Sequence, residues 1–483
     1  MTIGIIGSGL MGTGIAQIAA AAGESVLLFD TKAGAAEKAV ASIGDMYRKL
    51  AAKGKMSDPD AVHARITVAP SIDAMKDTRL VVEAIVEDLD TKRDLFANLE
   101  AIVGDNCILA SNTSSISITL LAAKLRRPER VVGMHFFNPV PLMELVEVVK
   151  GLATSDSVAE QVFATAARWG KTPVYAKSTP GFIVNRVARP YYAEALRLLN
   201  EGAASAASID AIMREAGGFR MGPFELMDLI GHDTNFAVTR SIFNAYFNDP
   251  RFAPSLIQQE LVEAGRLGRK SGRGFFDYAE GATPPAPQFE TPRPAPHHFS
   301  IYGEDPLMAA MVVRLHSFAQ VSTCPHLIAD NATLLLTDGK RASERAPCER
   351  LSNVVLVDYA SDFGAAKTLA VTRAATCTDS AYASAVGLLQ AAGYKVIRLR
   401  DLPGLAVLRT MSMLANEAAD AVNQGVCTIE GVNAAMRKGV NYPIGPLAWA
   451  EQAGVVRVRE ALQHLSEYYG EDRYRTSPFL REF

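Results

Sequence analysis

The sequence predicts a doubly wound α/β domain followed by an all-helical domain, then a reduced α/β unit followed by a second helical domain that repeats the first. Three observations carry that reading. Short apolar runs alternate with helix-like stretches from Thr2 to Pro180, the pattern of a parallel sheet with crossover helices. From Pro180 the texture changes to long Ala/Leu/Glu/Arg-rich stretches with few β-branched runs. The segment from Pro403-Gly404 then matches the one from Pro180-Gly181 at a constant offset of 223, without a gap and with about 14 identities in 52 positions, a register that chance explains poorly.

Taken in order, Thr2-Ile3-Gly4-Ile5-Ile6 reads as a buried parallel strand, with a glycine-rich turn and an Ala-rich helix behind it. Val26 to Phe29 is a second strand, closed by Asp30. Leu80 to Val82, Cys107 to Ala110 and Val131 to Met134 are further strands, and Ala35 to Ala52 and Thr91 to Ile102 are helices between them. These assign residues 1–180 to the α/β domain and 181–282 to the helical one. Residues 283–299 hold Pro284, Pro285, Pro287, Pro292, Pro294 and Pro296, too much proline for a helix or sheet interior, and read as a linker. Residues 300–402, with strands at Ala332 to Leu336, Asn353 to Val357 and Lys395 to Leu399, form the reduced unit, and 403–483 the second helical domain.

Composition narrows the function. At 483 residues with 49% hydrophobic and 21% charged, the chain is globular, not disordered or coiled coil. A net charge of −3 gives no global field for nucleic acid or an anionic membrane, so an anionic ligand needs a local site. The five cysteines, Cys107, Cys324, Cys348, Cys377 and Cys427, have no metal-ligand spacing and are expected as reduced thiols of a cytoplasmic protein. No apolar run approaches the roughly 18 residues of a membrane span, and no leader pattern opens the chain.

The first constellation is Gly7-Ser8-Gly9-Leu10-Met11-Gly12 between strand and helix, with Asp30 closing the strand that follows. The first glycine permits a tight turn, the second lets a pyrophosphate approach the backbone, and the third packs helix on sheet; the helix N-terminus faces the phosphates. Asp30 would accept from the ribose hydroxyls and repel a 2′-phosphate, favouring NAD over NADP, with Lys32 the dissenting neighbour. Ser111-Asn112-Thr113-Ser114-Ser115 follows a strand at the carboxyl edge where such sheets bind ligands, although helix capping alone would also explain it. In His135-Phe136-Phe137-Asn138-Pro139-Val140-Pro141 and the run after it, His135 and Glu147 are equally spaced on either side of Pro141. Folded back in that register as an antiparallel pair, the two side chains face each other, and the carboxylate fixes the imidazole tautomer. A structural hydrogen-bonded histidine is the alternative.

These motifs together, Ser-Asn-Thr-Ser-Ser, His-Phe-Phe-Asn-Pro-Val-Pro with Glu147 beyond it, and Pro-Gly-Phe-Ile-Val-Asn-Arg from Pro180 to Arg186, resemble the NAD-dependent L-3-hydroxyacyl-CoA dehydrogenases over about residues 1–283. The remainder resembles the longer bacterial members, in which a reduced Rossmann-like unit and a second helical domain follow the first Rossmann and helical pair. Such enzymes act on 3-hydroxybutyryl-CoA or on the 3-hydroxyadipyl-CoA of phenylacetate breakdown.

The resemblance implies His135 as general acid/base, Glu147 as the carboxylate that orients it, and Ser114 and Asn185 as contacts to the substrate oxygen at C3. It implies Glu87 and Lys92 as cofactor contacts on the nicotinamide side, and likewise Asn112 and Lys270; without it, Glu87 and Lys92 would read as a solvated charge pair at a helix start. Gly7, Gly9, Leu10, Met11, Gly12 and Asp30 complete the cofactor set. Arg48, Lys49, Lys53 and Lys55 offer a local basic patch for coenzyme A, or an ordinary solvated face. Two alternatives stay open: a dehydrogenase of a small free β-hydroxy acid, whose family places a lysine where this chain has Asn185, and a non-catalytic NAD-binding scaffold. In the duplicate, Leu408 stands at the position of Asn185 and no glycine motif appears upstream, so one active site per chain is expected. Part of the family's dimer contact would be made within the chain, with a homo-oligomer through another surface still open.

Overall fold

The structure, a computed structural model, describes residues 1–303, 305–316 and 326–483; Cys324 lies outside them. The chain divides into two compact units, one of residues 1–186 with 424–440, the other of 187–423 with 441–483. This division cuts across the second helical segment of the sequence. Among the described residues no helix is long and apolar enough to cross a membrane.

The first unit is built on eight strands: β1 (Thr2–Ile6), β2 (Ser25–Phe29), β3 (Ile66–Val68), β4 (Leu80–Glu83), β5 (Ile108–Ser111), β6 (Val131–Phe136), β7 (Leu145–Lys150) and β8 (Thr172–Lys177). Their order is β3-β2-β1-β4-β5-β6-β7-β8. The first six are parallel, and β7 runs antiparallel to β6. The central strands are continuous apolar runs because both sheet faces are covered. Helices α1 (Leu10–Ala21), α2 (Ala35–Ala52) and α3 (Leu89–Ile102) follow β1, β2 and β4. Asp88 caps α3 by accepting from Thr91 N. The carboxyl ends of β1, β4 and β5 therefore open on one edge, at Ile6, Glu83 and Ser111.

The second unit begins with α4 (Arg189–Asn200), α5 (Ala206–Glu215), α6 (Pro223–Ile230) and α7 (His232–Ala245). Its sheet of β9 (Phe299–Ile301), β10 (Leu327–Ala329), β11 (Ala332–Leu336), β12 (Val354–Val357), β13 (Thr368–Arg373) and β14 (Lys395–Arg398) is mixed, with only β11–β12 and β13–β14 parallel. After β11 the chain enters α8 (Ala342–Cys348), where a dinucleotide-binding turn would stand. There Asp401 fills the anion position, accepting from Ala342 N at 2.7 Å and Ser343 N at 3.0 Å. Gly339 in this turn has φ +102°, and a Cβ on it would lie 2.7 Å from the Ala461 backbone.

The expected linker is not a loose tether. Glu290 N donates to Val396 O, Phe289 pairs with Ile397, and Gln288 N donates to Ser208 Oγ. It lies along β14, whose outer edge would otherwise present unpaired peptide groups. Proline content indicates that a segment is neither helix nor sheet interior, not whether it docks.

The duplication is visible in the backbone. Helices α9 (Val407–Asn423), α10 (Ile429–Gly439), α11 (Pro446–Ala453) and α12 (Val455–Tyr469) follow the order of the first set at the offset seen in the sequence. Gly181 and Gly404 have φ of 74° and 73°, and the strained residues after them, Phe182 and Leu405, 47° and 51°. Ser205 and Thr428 both cap the next helix. The copies also exchange contacts: Lys177 N donates to Val426 O, and its counterpart Arg400 N to Ala203 O. Arg186 bonds Gln424 at 2.9 Å, and Arg409 bonds Glu201 at 3.2 Å. Helix α10 packs on β7 and β8, while α5 packs on β13. Each exchange lies inside one unit, with α10 of the second copy packed in the first unit and α5 of the first copy in the second.

Helix α4 packs on α9 in the second unit. The fully buried Arg409 reaches Glu194 at 2.7 Å and the Tyr474 hydroxyl at 3.0 Å. Burial pushes the Glu194 carboxyl up, and Arg409, Arg473 and Arg197 more than offset it. A chain ended near Ala282 lacks α9 and α10, so two such chains should pair by making the exchanged contacts between them, or aggregate. Size-exclusion chromatography with light scattering would show the shift; a truncated protein with unchanged assembly, stability and activity would contradict it.

Candidate active site

The glycine turn leaves β1 at Gly7, where φ is +99° and a Cβ would sit 2.5 Å from Ala84 O. Gly12 presses on the Gly7 carbonyl. A Cβ on Gly9 would meet no protein atom within 4 Å, so the chain's own packing does not require glycine there. Gly9 is also the N-cap of α1, with no side chain bonded to the first turn's amides, which leaves that turn's N–H groups for a phosphate. Leu10 is exposed, and Met11 packs on the core. Asp30 accepts from Ser8 N at 2.7 Å, Ser8 Oγ at 2.8 Å and Lys32 N at 2.9 Å. Burial pushes its carboxyl up, but these donors hold it below the usual carboxylate range. Lys32 thus supports the Asp30 charge through its amide. The residues fit a dinucleotide.

The Ser114 turn is held by Glu87. One carboxylate oxygen, Oε1, accepts from Thr113 Oγ1 at 2.6 Å, Ser115 Oγ at 2.9 Å, Ser114 N at 3.0 Å and Ser115 N at 3.2 Å, with Ser114 Oγ at 3.4 Å. The other lies 3.2 Å from Lys92 Nζ. Burial raises the Glu87 carboxyl, and Thr113, Lys92 and Ser115 bring it below its usual range. Helix capping is the simpler account of this polar run, and Ser117 does cap the next helix, but Thr113 to Ser115 converge on Glu87.

His135 and Glu147 are register partners across β6 and β7. Nδ1 of His135 lies 2.6 Å from Glu147 Oε2. A carboxylate at this position accepts, so Nδ1 carries the hydrogen and Nε2 is left to exchange protons. Glu147 is fully buried, and its Oε1 accepts from Ile183 N and Val184 N, each at 3.0 Å. Phe137 and Phe182 flank the imidazole, with centroids at 4.5 and 5.9 Å. The residue after Val184 is Asn185, whose Nδ2 donates to Ser114 O at 3.4 Å. His135, Glu147, Ser114, Asn185, Glu87 and Lys92 thus fall in one hydrogen-bonded region of the first unit.

Other expected residues are placed differently. Asn112 uses its Oδ1 to accept from Phe136 N at 2.9 Å, tethering β5 to the end of β6. Lys270 belongs to the second unit and pairs with Asp233 at 2.5 Å. Lys53 ends α2, and Lys53 and Lys55 are exposed; Arg48 pairs with Asp45. Sequence reasoning missed Glu83, a fully buried acid closing an apolar strand and bonded to Lys92 at 2.5 Å. An acid at the carboxyl end of a buried parallel strand was the available signal.

In the second copy Asp358 plays the structural part of Glu147. Its carboxylate accepts from Ala406 N and Val407 N at 2.9 and 2.8 Å, the amides that correspond in the repeat to those of Ile183 and Val184. Burial pushes it up to about 6, against the pull of these amides. Leu408 follows where the first copy has Asn185.

Residues 2–179 match the family described as 3-hydroxyacyl-CoA dehydrogenase, NAD binding domain. Residues 181–278 and again 404–483 match its C-terminal domain, and 334–403 the 3-hydroxybutyryl-CoA dehydrogenase reduced Rossmann-fold domain. The chain is 43% identical over 483 residues to a 3-hydroxyadipyl-CoA dehydrogenase of Escherichia coli K12, covering 100% of this chain and 97% of that one. It is 43% identical over 282 residues to the mitochondrial hydroxyacyl-coenzyme A dehydrogenase of Sus scrofa, covering 57% of this chain and 90% of that one. The crystal structure of an Escherichia coli K12 3-hydroxybutyryl-CoA dehydrogenase superposes with a TM-score of 0.92 at 42% identity, covering 100% and 98% of the two chains.

Two outcomes follow from the geometry. Calorimetric titration should find one NAD per chain, because Asp401 occupies the corresponding place in the reduced unit; two sites would contradict this. Asp30→Ala should narrow the preference for NAD over NADP in kcat/KM, and an unchanged ratio would show that the carboxylate is not what excludes the phosphate.

Proposed function

The chain belongs to the 3-hydroxyacyl-CoA dehydrogenase family, and from that premise we propose how its residues divide the work. The reaction is NAD-dependent oxidation of a 3-hydroxyacyl-CoA to the 3-oxoacyl-CoA, and its reverse. NAD supplies the hydride acceptor when bound; the protein supplies geometry and proton transfer. The Gly7 to Gly12 turn and Asp30 hold the dinucleotide, and Glu87 and Lys92 border its reactive end. As C3 becomes a carbonyl, its hydroxyl proton passes to His135 Nε2. Glu147 keeps Nδ1 protonated and supports the positive charge that forms on the ring. Ser114 and Asn185 hydrogen-bond the oxygen at C3. The single observation that carries this assignment is the 2.6 Å contact between His135 and a fully buried Glu147.

Full-length likeness to a 3-hydroxyadipyl-CoA dehydrogenase makes a short acyl chain ending in a free carboxylate the substrate we propose; comparison of kcat/KM for 3-hydroxyadipyl-CoA and 3-hydroxybutyryl-CoA tests it. The exchanged contacts between the copies support the view that part of the subunit contact of shorter relatives is made within this chain.

With acetoacetyl-CoA and NADH, His135→Gln should lower kcat by roughly 10²–10⁴ while NADH affinity stays near the parent value, because only proton transfer is lost. Glu147→Gln should also cost rate. Parental kcat in the His135 variant would overturn the acid/base assignment.

A further inference from the structure

Glu83 closes β4 with no exposed surface, and every oxygen of its carboxylate has a partner. Oε1 accepts from Lys92 Nζ at 2.5 Å and from Ile85 N at 2.8 Å; Oε2 accepts from Ser111 Oγ at 2.6 Å. Ser111 Oγ in turn accepts from Thr113 N at 3.1 Å, and the Glu83 carbonyl accepts from Asn112 N at 2.8 Å. The turn that presents Ser114 is therefore gripped at its start by Glu83, through Ser111, and at its crest by Glu87. One ammonium, Lys92, joins the two carboxylates, and its side chain is 1% exposed.

The charge arrangement gives Glu83 a task beyond stabilising the fold. A buried ammonium needs a close counter-ion. Glu87 cannot serve alone, because its other oxygen is committed to Thr113, Ser114 and Ser115, and its side chain is about a third exposed. If residue 83 were neutral, Lys92 would draw the Glu87 carboxylate toward itself, and the donors of the turn would lose their common acceptor. An ion pair serving only the fold has no need of the Ser111 hydroxyl, which carries the position of Glu83 into the backbone of Thr113. The displacement would fall on Ser114, at the centre of that turn.

We infer that Glu83 is a positioning residue for the dehydrogenase reaction, fixing the Ser114 turn through Ser111 on one side and through Lys92 and Glu87 on the other. This rests on the reading that Ser114 meets the substrate oxygen. Glu83 touches neither substrate nor cofactor in this scheme; its substitution moves the turnover step through the position of Ser114, and any effect on the cofactor through Lys92 and Glu87 would be read separately in the KM for NADH. The same interactions also order the loop before any ligand arrives, which is the condition for a hydroxyl to be in place when charge shifts at C3.

The test is a kinetic cycle in the full chain. kcat and KM for acetoacetyl-CoA, and Tm, are measured for Glu83→Gln, Ser111→Ala, Ser114→Ala and each of the first two combined with Ser114→Ala. Glu83→Gln should lower kcat on the order of 10²-fold, the effect of a small misplacement of a reacting contact, with KM little changed. In the Ser114→Ala background the same substitution should cost almost nothing further, although Tm falls by the same amount in both backgrounds. Losses in kcat that multiply with Ser114→Ala, or a lowered Tm with parental kcat, overturn the inference. Should Glu83→Gln fail to fold, Ser111→Ala decides by the same criterion, because it leaves the ion pair in place. If Ser114→Ala itself keeps the parental kcat, the assignment of Ser114 falls and the inference with it; if Ser114→Ala loses activity while Glu83→Gln and Ser111→Ala do not, the inference alone falls.

Discussion

The carboxylate of Glu147 is the constraint on which the site depends. Its oxygens point in two directions, Oε2 to the imidazole of His135 and Oε1 to the amides of Ile183 and Val184. A buried carboxylate is costly unless its lone pairs are met, and three strong donors meet these. The arrangement requires the chain to turn sharply after β8, and Gly181 and Phe182, both at positive φ, make that turn. Because Asn185 follows the two bonded amides directly, the group that orients the base also sets where the helical segment begins. Orientation of the histidine and placement of the asparagine are one event.

The second copy separates these two roles. Asp358 accepts from Ala406, Val407 and Leu408 amides behind the same pair of left-handed residues, Gly404 and Leu405. The helix junction thus needs an acid whether or not chemistry takes place there. What the copy lacks is everything that would exploit the junction: Leu408 replaces the amide side chain, and Asp401 neutralises the helix start where a phosphate would lie. The copies nevertheless share the exchanged contacts, Lys177 to Val426 and Arg400 to Ala203.

Much of this was legible in the sequence because it depends on local pattern. The strands of the first sheet are apolar runs, and the facing of His135 and Glu147 follows from their equal spacing about Pro141 in a fold-back centred on that residue. The constant offset of 223 exposed the duplication. The Glu83, Lys92 and Glu87 network was only partly legible: an acid closing a buried parallel strand marks Glu83, but nothing in the spacing pairs it with a lysine in the first turn of the next helix. The docking of Phe289 and Glu290 on β14 was not legible, being fixed by an edge that only the folded sheet creates. Each of these depends on which distant residue comes near, and composition and spacing do not carry that.

Three carboxylates illustrate how one functional group takes different parts according to its surroundings. Asp30 ends β2, Glu87 lies just before α3 and Glu147 sits mid-strand in β7. Each accepts from backbone amides of a different segment: Ser8 and Lys32, Ser114 and Ser115, Ile183 and Val184. Ser8 belongs to the glycine turn, Ser114 and Ser115 to the serine turn, and Ile183 and Val184 to the start of the helical part. A side-chain acceptor that fixes a backbone segment in advance lowers the ordering cost at the moment of binding. The acids therefore act as clamps on the chain, and Glu147 and Glu87 in addition reach His135 Nδ1 and Ser114 Oγ directly, at 2.6 and 3.4 Å.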